Sequence, residues 1–199
     1  MGKYTFDDLL EVAKINSKMF DRFPSKDFAP PPSEETIKAA EDALGFKIPE
    51  DYRKMIKKWG ELTISRDSGF FGIACDDPQK FDWTPGTIVY DTEQARNEGY
   101  DEKYLVISRD FNCSDSILCL LDTTTGRVYL DDDGMVELKE NFIDYVFDEL
   151  ITRRRVYEYI YEFTFQWPEY LLERIQEDSI RLKKKIAEFD EIFDLLPSK

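Results

Sequence analysis

The sequence predicts an α+β fold in which a helical hairpin leads into a mainly antiparallel, twisted sheet, a further helix closes the sheet, and extra helices lie at both ends. Three observations carry this prediction. Apolar residues recur at helical spacing in two short runs separated by Gly45 and Pro49. Short β-branched and aromatic runs bounded by Gly, Pro and Asp fill the middle of the chain. Helical periodicity returns after Asn141. With 199 residues, 42% of them hydrophobic, the chain can build one sizeable core but hardly two. The reading divides it into an N-terminal helical extension and linker (1–32), a central α+β domain (33–151) and a C-terminal helical extension (152–199).

The first helix runs from Thr5 to Phe20, with Thr5 as cap, Asp7 and Asp8 in its first turn, and Phe6, Leu9, Leu10 and Ala13 on its apolar side. Phe28 to Pro32 forms a linker or strap. Ser33 caps the first helix of the hairpin, and Glu34 and Glu35 meet the positive end of its dipole. Ile37, Ala40 and Leu44 share one face, and Gly45 supplies the left-handed residue that ends the helix. Pro49 opens the second helix, with Tyr52, Met55, Ile56 and Trp59 facing inward, Arg53, Lys54, Lys57 and Lys58 facing outward, and Gly60 closing it.

The runs GFFGIAC (69–75), GTIVY (86–90) and YLVISRD (104–110) read as strands, with a short helix over Asp91 to Gly99. Ile117 to Leu121 pairs with Arg127 to Leu130 across a Thr-Thr-Gly turn, and Asp131-Asp132-Asp133-Gly134 reads as a strand-turn-strand tip. Phe142, Ile143, Val146, Phe147 and Leu150 define the closing helix. Beyond it, Arg153-Arg154-Arg155 reads as a neutralised helix end beside acidic neighbours, and Val156, Ile160, Phe163 and Trp167 keep helical spacing. Pro168 then begins a charged helix whose apolar residues, from Leu171 and Ile175 to Leu196, approach a three-four repeat interrupted by Asp178. Such a helix either packs on the central domain or joins two copies, so monomer and homodimer both stay open.

Histidine is absent, which removes Ser-His-Asp and Cys-His catalysis and the commonest zinc ligand. The chain has no phosphate-binding loop, no dinucleotide fingerprint and no calcium loop, so neither cofactor nor metal is expected. Cys75, Cys113 and Cys119 have no CxxC spacing and suit free thiols in a reducing cytosol. No apolar run approaches about 18 residues, which predicts a cytoplasmic protein without a membrane span. The formal net charge is −15, and residues 33–151 carry 27 acidic against 13 basic side chains. A field of that sign repels nucleic acids and anionic membranes and favours a basic protein partner.

The hairpin residues carry a family resemblance. Ser33-Glu34-Glu35, the turn Leu44-Gly45-Phe46-Lys47-Ile48-Pro49-Glu50-Asp51-Tyr52 and the helix end Trp59-Gly60 resemble the N-terminal signature of the SUKH superfamily, the Smi/Knr cell-wall assembly regulators and their bacterial relatives. Ile48 stands where the family usually has leucine, and Trp59 where it has asparagine. The order Cys-Leu-Leu-Asp strand, Thr-Gly-x-Val turn and NFIDYVFDEL helix is also similar to the family's, so the resemblance covers about residues 33–151. It implies structural roles for Glu35, Gly45, Ile48, Pro49, Tyr52, Trp59 and Gly60. It further implies a cytoplasmic immunity protein that occludes a toxin domain, many of which are nucleases. Composition points independently to an acidic, non-catalytic binder, with Asp76, Asp77, Asp101, Glu102, Asp131, Asp132 and Asp133 as candidate docking charges. A regulatory scaffold and, less economically, a carboxylate-based enzyme are the alternatives.

Overall fold

The computed structural model describes residues 2–16, 31–65, 68–73, 83–110, 117–132, 134–161 and 165–177. Helix α1 (Phe6–Ile15) opens with a full capping box. The Asp8 amide donates to the Thr5 hydroxyl at 3.2 Å and the Thr5 amide to the Asp8 carboxylate at 2.8 Å, so both chain-end donors are satisfied. Leu9, Val12 and Ala13 turn inward. The predicted continuation to Phe20 lies outside the described residues.

The hairpin forms as its punctuation dictates, with α2 (Glu34–Leu44) and α3 (Glu50–Trp59). Ser33 accepts the Thr36 amide at 3.1 Å, and Gly45 takes φ 79°, a conformation that carries no Cβ penalty in glycine. Pro49 stands one residue before α3, as its cap position. Ile37, Ala40, Leu44, Tyr52, Met55 and Ile56 are buried, whereas Trp59 is only partly so and lies 6.0 Å from the Phe6 ring.

Strands β1 (Leu62–Ser65) and β2 (Ser68–Phe70) pair antiparallel, with Leu62 opposite Phe70. The chain then crosses close to itself. A Cβ on Gly72 would lie 2.6 Å from the Gly60 carbonyl oxygen, so only glycine lets the two segments pass. Just before this crossing, the Phe71 amide donates to the Ile107 carbonyl at 2.9 Å and lays the segment beside the sheet.

The run at residues 86–90 corrects the sequence reading: it is not a strand. Helix α4 (Ile88–Asn97) begins there, and Thr87 contributes only an isolated bridge to Gly72. Thr87 adopts extended backbone and its hydroxyl caps the Tyr90 amide, while Ile88, Val89, Thr92 and Ala95 fall on one buried helical stripe. A β-branched pair at the start of a buried helix looks, in sequence, like a short strand.

The main sheet runs β3 (Tyr104–Asp110), β4 (Ile117–Asp122), β5 (Val128–Asp131), β6 (Met135–Lys139) in spatial order, with all neighbours antiparallel. Alternation places Leu118 and Leu120 on the face that meets α4, and Cys119 and Leu121 on the opposite face, under α5 (Phe142–Tyr161). All four are buried, which marks β4 as the central strand. At the β4–β5 turn the Asp122 carboxylate accepts the Thr124 amide at 2.8 Å and the Thr125 amide at 3.0 Å, and it pairs with Lys103 at 3.0 Å. Burial pushes this carboxyl up, but those donors outweigh it and leave its pKa at about 2.

Helix α5 continues past residue 151, so Arg153-Arg154-Arg155 lies inside a helix and not at its end. Residues 165–168, including Trp167, are not helical, and residues 169–177 are. Leu182, Ile186 and the rest of the predicted repeat lie outside the described residues. The described part of this segment packs on its own chain: Phe165, Leu171 and Ile175 are buried in the same core as Leu9, Val12 and the sheet. Asn16 and Gln166 exchange hydrogen bonds of 2.6 and 2.9 Å, and Arg174 reaches the Asp8 carboxylate at 3.3 Å while covering the Tyr4 ring at 4.6 Å. Lys3 donates to the Arg174 carbonyl and faces Glu177 at 3.8 Å. The Lys3 and Tyr4 amides both donate to Asp144 at the start of α5, at 2.8 and 2.7 Å. No helix among the described residues is long and apolar enough to cross a membrane.

Candidate docking surface

Ile48, Tyr52 and Gly60 each make contacts that hold the hairpin in place. Ile48 is buried and its amide donates to Glu41 at 3.2 Å. The Tyr52 hydroxyl donates to the Phe71 carbonyl at 2.6 Å and ties α3 to the strand layer. Gly60 bonds back to Ile56 at 2.7 Å, and Glu35 is exposed in the first turn of α2. Glu41, beside these residues, is a bracing carboxylate that the sequence did not single out. Its side chain is 3% exposed and accepts from Lys47 at 2.7 Å and Arg53 at 2.8 Å. Burial pushes its pKa up, but the Lys47 bond, the Ile48 amide and the Arg53 charge together bring it below the usual range. Arg53 also reaches Glu34, so one guanidinium joins both helices of the hairpin.

The acidic candidates fall on two described tips. Asp101 and Glu102 lie on the α4–β3 connection, and Asp131 and Asp132 on the β5–β6 turn. Asp76, Asp77 and Asp133 lie outside the described residues. Each tip is internally braced. Asp101 accepts the Lys103 amide at 3.0 Å, and Asp131 accepts the Gly134 amide at 3.1 Å, in the manner of short Asx turns. Arg96 fixes the first tip from below, donating to the Leu44 carbonyl at 2.8 Å and the Glu102 carbonyl at 3.0 Å. Glu102 and Asp132 are exposed.

Tyr100 brings the two tips into one surface. Its hydroxyl donates to the second oxygen of Asp131, and burial together with that carboxylate pushes its pKa up to about 12. The connection crosses the sheet face on the α4 side. Register places Arg109 opposite Leu118, and Leu118 opposite Asp131, so all three share that face. Arg109 in turn lies 3.3 Å from Asp91, a carboxyl whose pKa burial raises in spite of the Gly86 amide and Arg109 beside it. Beyond α4 the same face carries Tyr104 and Tyr129, whose rings meet edge to face at 5.9 Å, with Lys103 4.8 Å above Tyr104 and Arg127 paired to Glu137 at 2.8 Å.

This arrangement is suited to holding a partner. Partly buried tyrosines with a braced acidic rim are the ingredients of an interface: rigid aromatic area at the centre and charge at the edge. Tyr100, Tyr104, Tyr129 and Arg109 were missed in sequence because they read as ordinary strand and turn residues; only sheet register shows that they share a face. Among the described residues, the two carboxyls with raised pKa values, Asp91 and Glu61, have different neighbours. Asp91 is matched to Arg109, and the described residues hold no pair of raised carboxyls facing each other. No cluster of metal-ligating side chains occurs among the described residues.

Comparison with curated proteins finds no match. The model of the SMI1 / KNR4 family (SUKH-1) matches residues 31–148, which spans the hairpin, the sheet and the first turns of α5, and the chain therefore belongs to that family.

Proposed function

We propose that this chain is a non-catalytic binding protein, an immunity protein that neutralises a basic toxin domain by occupying its functional groove. The observation that carries the reading is the location of the charge. The family domain holds nearly all of the acidic excess, 27 acidic against 13 basic side chains over residues 33–151. Two acidic tips of that domain are braced and joined through Tyr100. A toxin domain that acts on phosphate backbones must present a basic groove, and an acidic, tyrosine-bearing surface complements it in charge. Occlusion needs no catalytic group, in keeping with a chain that lacks histidine.

The test is capture from host lysate by the tagged chain at about 50 and about 500 mM salt, followed by co-expression of any recovered toxin domain with and without the chain. One dominant basic domain, weakened at high salt and no longer growth-inhibiting on co-expression, supports the proposal. Several salt-insensitive partners and no effect on growth would replace it with a scaffold role.

A further inference from the structure

The sheet has two edges, and the fold treats them differently. The outer side of β3 is occupied by the segment after β2, through the bond from the Phe71 amide to the Ile107 carbonyl. Strand β6 ends the sheet on the other side and pairs only with β5 among the described residues. Its first residues are exposed in succession: Met135 at 42% and Val136 at 58%. Successive strand residues point to opposite faces, so both faces of the sheet are open at this corner. An open edge presents unpaired N–H and C=O groups, and native proteins usually protect it with proline, with unpaired lysine or with a cover. Strand β6 has no proline, and its one lysine, Lys139, is engaged by Asp148 on α5. A bulge at Leu138 limits regular pairing to the Met135 end of the strand.

The charge around this corner selects the occupant. Asp131 and Asp132 precede the strand and Glu137 lies within it, while the nearby cation Arg127 is already paired to Glu137. A second copy of this chain would set these acids against themselves, whereas a lysine- or arginine-bearing segment would be attracted. Resting on the preceding reading that the partner is a basic protein, we propose that β6 is its docking edge and that an extended basic segment of the partner adds there as a fifth strand. On the α4 side the side chains of that segment meet Met135 and Glu137, and on the other side Val136, which favours apolar residues alternating with basic ones.

The experiment uses the full chain and an eight-residue peptide alternating lysine and valine, compared with the same peptide methylated at every backbone nitrogen. Amide hydrogen exchange and fluorescence anisotropy are the readouts. The unmodified peptide is expected to slow exchange over Met135–Lys139 at least tenfold, and methylation to weaken binding at least tenfold. Val136→Lys is expected to weaken the unmodified peptide at least fivefold without changing the melting temperature, since Val136 is 58% exposed and lies outside the buried core. Equal binding of both peptides, protection elsewhere, or no binding of either overturns the edge proposal. So does protection of β6 that rises with protein concentration alone, which would mark self-pairing. None of these outcomes touches the immunity reading, which stands or falls on recovery and neutralisation of a basic toxin domain.

Discussion

Glu61 is a carboxyl in a place that does not welcome charge. It follows the Gly60 helix end, sits at the Gly60–Gly72 crossing and acts electrostatically on the fully buried Tyr52 phenol. Burial pushes its pKa from 4.5 up to about 7. A carboxyl raised in this way adds stability in full below about 4.5 and loses it as pH rises through about 7, because the folded state must then ionise a desolvated group. The gap, at about 1.4 kcal/mol per pKa unit, sets a ceiling of about 3.5 kcal/mol. Glu61 is partly exposed, and solvent screening reduces the expected effect to about 1–2 kcal/mol. Glu61→Gln removes the ionisation and keeps the shape. Urea denaturation of both proteins at pH 5, 7 and 9 should show them close at pH 5 and the variant ahead by about 1–2 kcal/mol at pH 9. A stability difference that stays constant from pH 5 to 9 would refute the reasoning.

Asp122 makes the opposite prediction. Its pKa of about 2 lies below the ordinary 3.8, so its contribution is present above about 3.8 and disappears as pH falls through about 2. The side chain is 2% exposed but sits among exposed turn residues, so Asp122→Asn should cost about 1–2 kcal/mol at pH 7 and much less at pH 2 in urea titrations. Leu171 is fully buried, and Leu171→Ala should lower unfolding stability by about 2–5 kcal/mol; a loss below about 1 kcal/mol would mean that the C-terminal segment is not part of the core. The Cys119 thiol is 4% exposed and burial pushes its pKa up to about 12. In a Cys75→Ser/Cys113→Ser background it should resist a disulfide reagent at pH 8 and react within minutes in urea.

The hairpin was legible because each of its boundaries is a local device. Ser33, Gly45 and Pro49 act through their own backbone and side chain, without help from residues far along the chain. The strand from Tyr104 to Asp110 and the apolar stripe of α5 were legible for the same reason. Residues 86–90 were not: the choice between strand and helix was made by the Thr87 cap and by burial against β3, and neither registers in a five-residue window. Glu41 was not singled out because its partners Lys47 and Arg53 come later in the chain and from different elements. The candidate site was half legible. Acidic turns could be read singly, but Tyr100 crossing to Asp131, and Arg109 sharing a face with it, depend on a register that only the folded sheet establishes.

The pairing of α1 with residues 165–177 also has a mechanical consequence. Asn16 meets Gln166, Asp8 meets Arg174, and Lys3 meets Glu177, so the two segments run antiparallel and their outer ends lie together. A pull on those two ends does not shear the contacts in parallel. It opens them one after another from Lys3–Glu177 inward, like a zip, and a sequential opening yields at lower force than a shear of the same bonds.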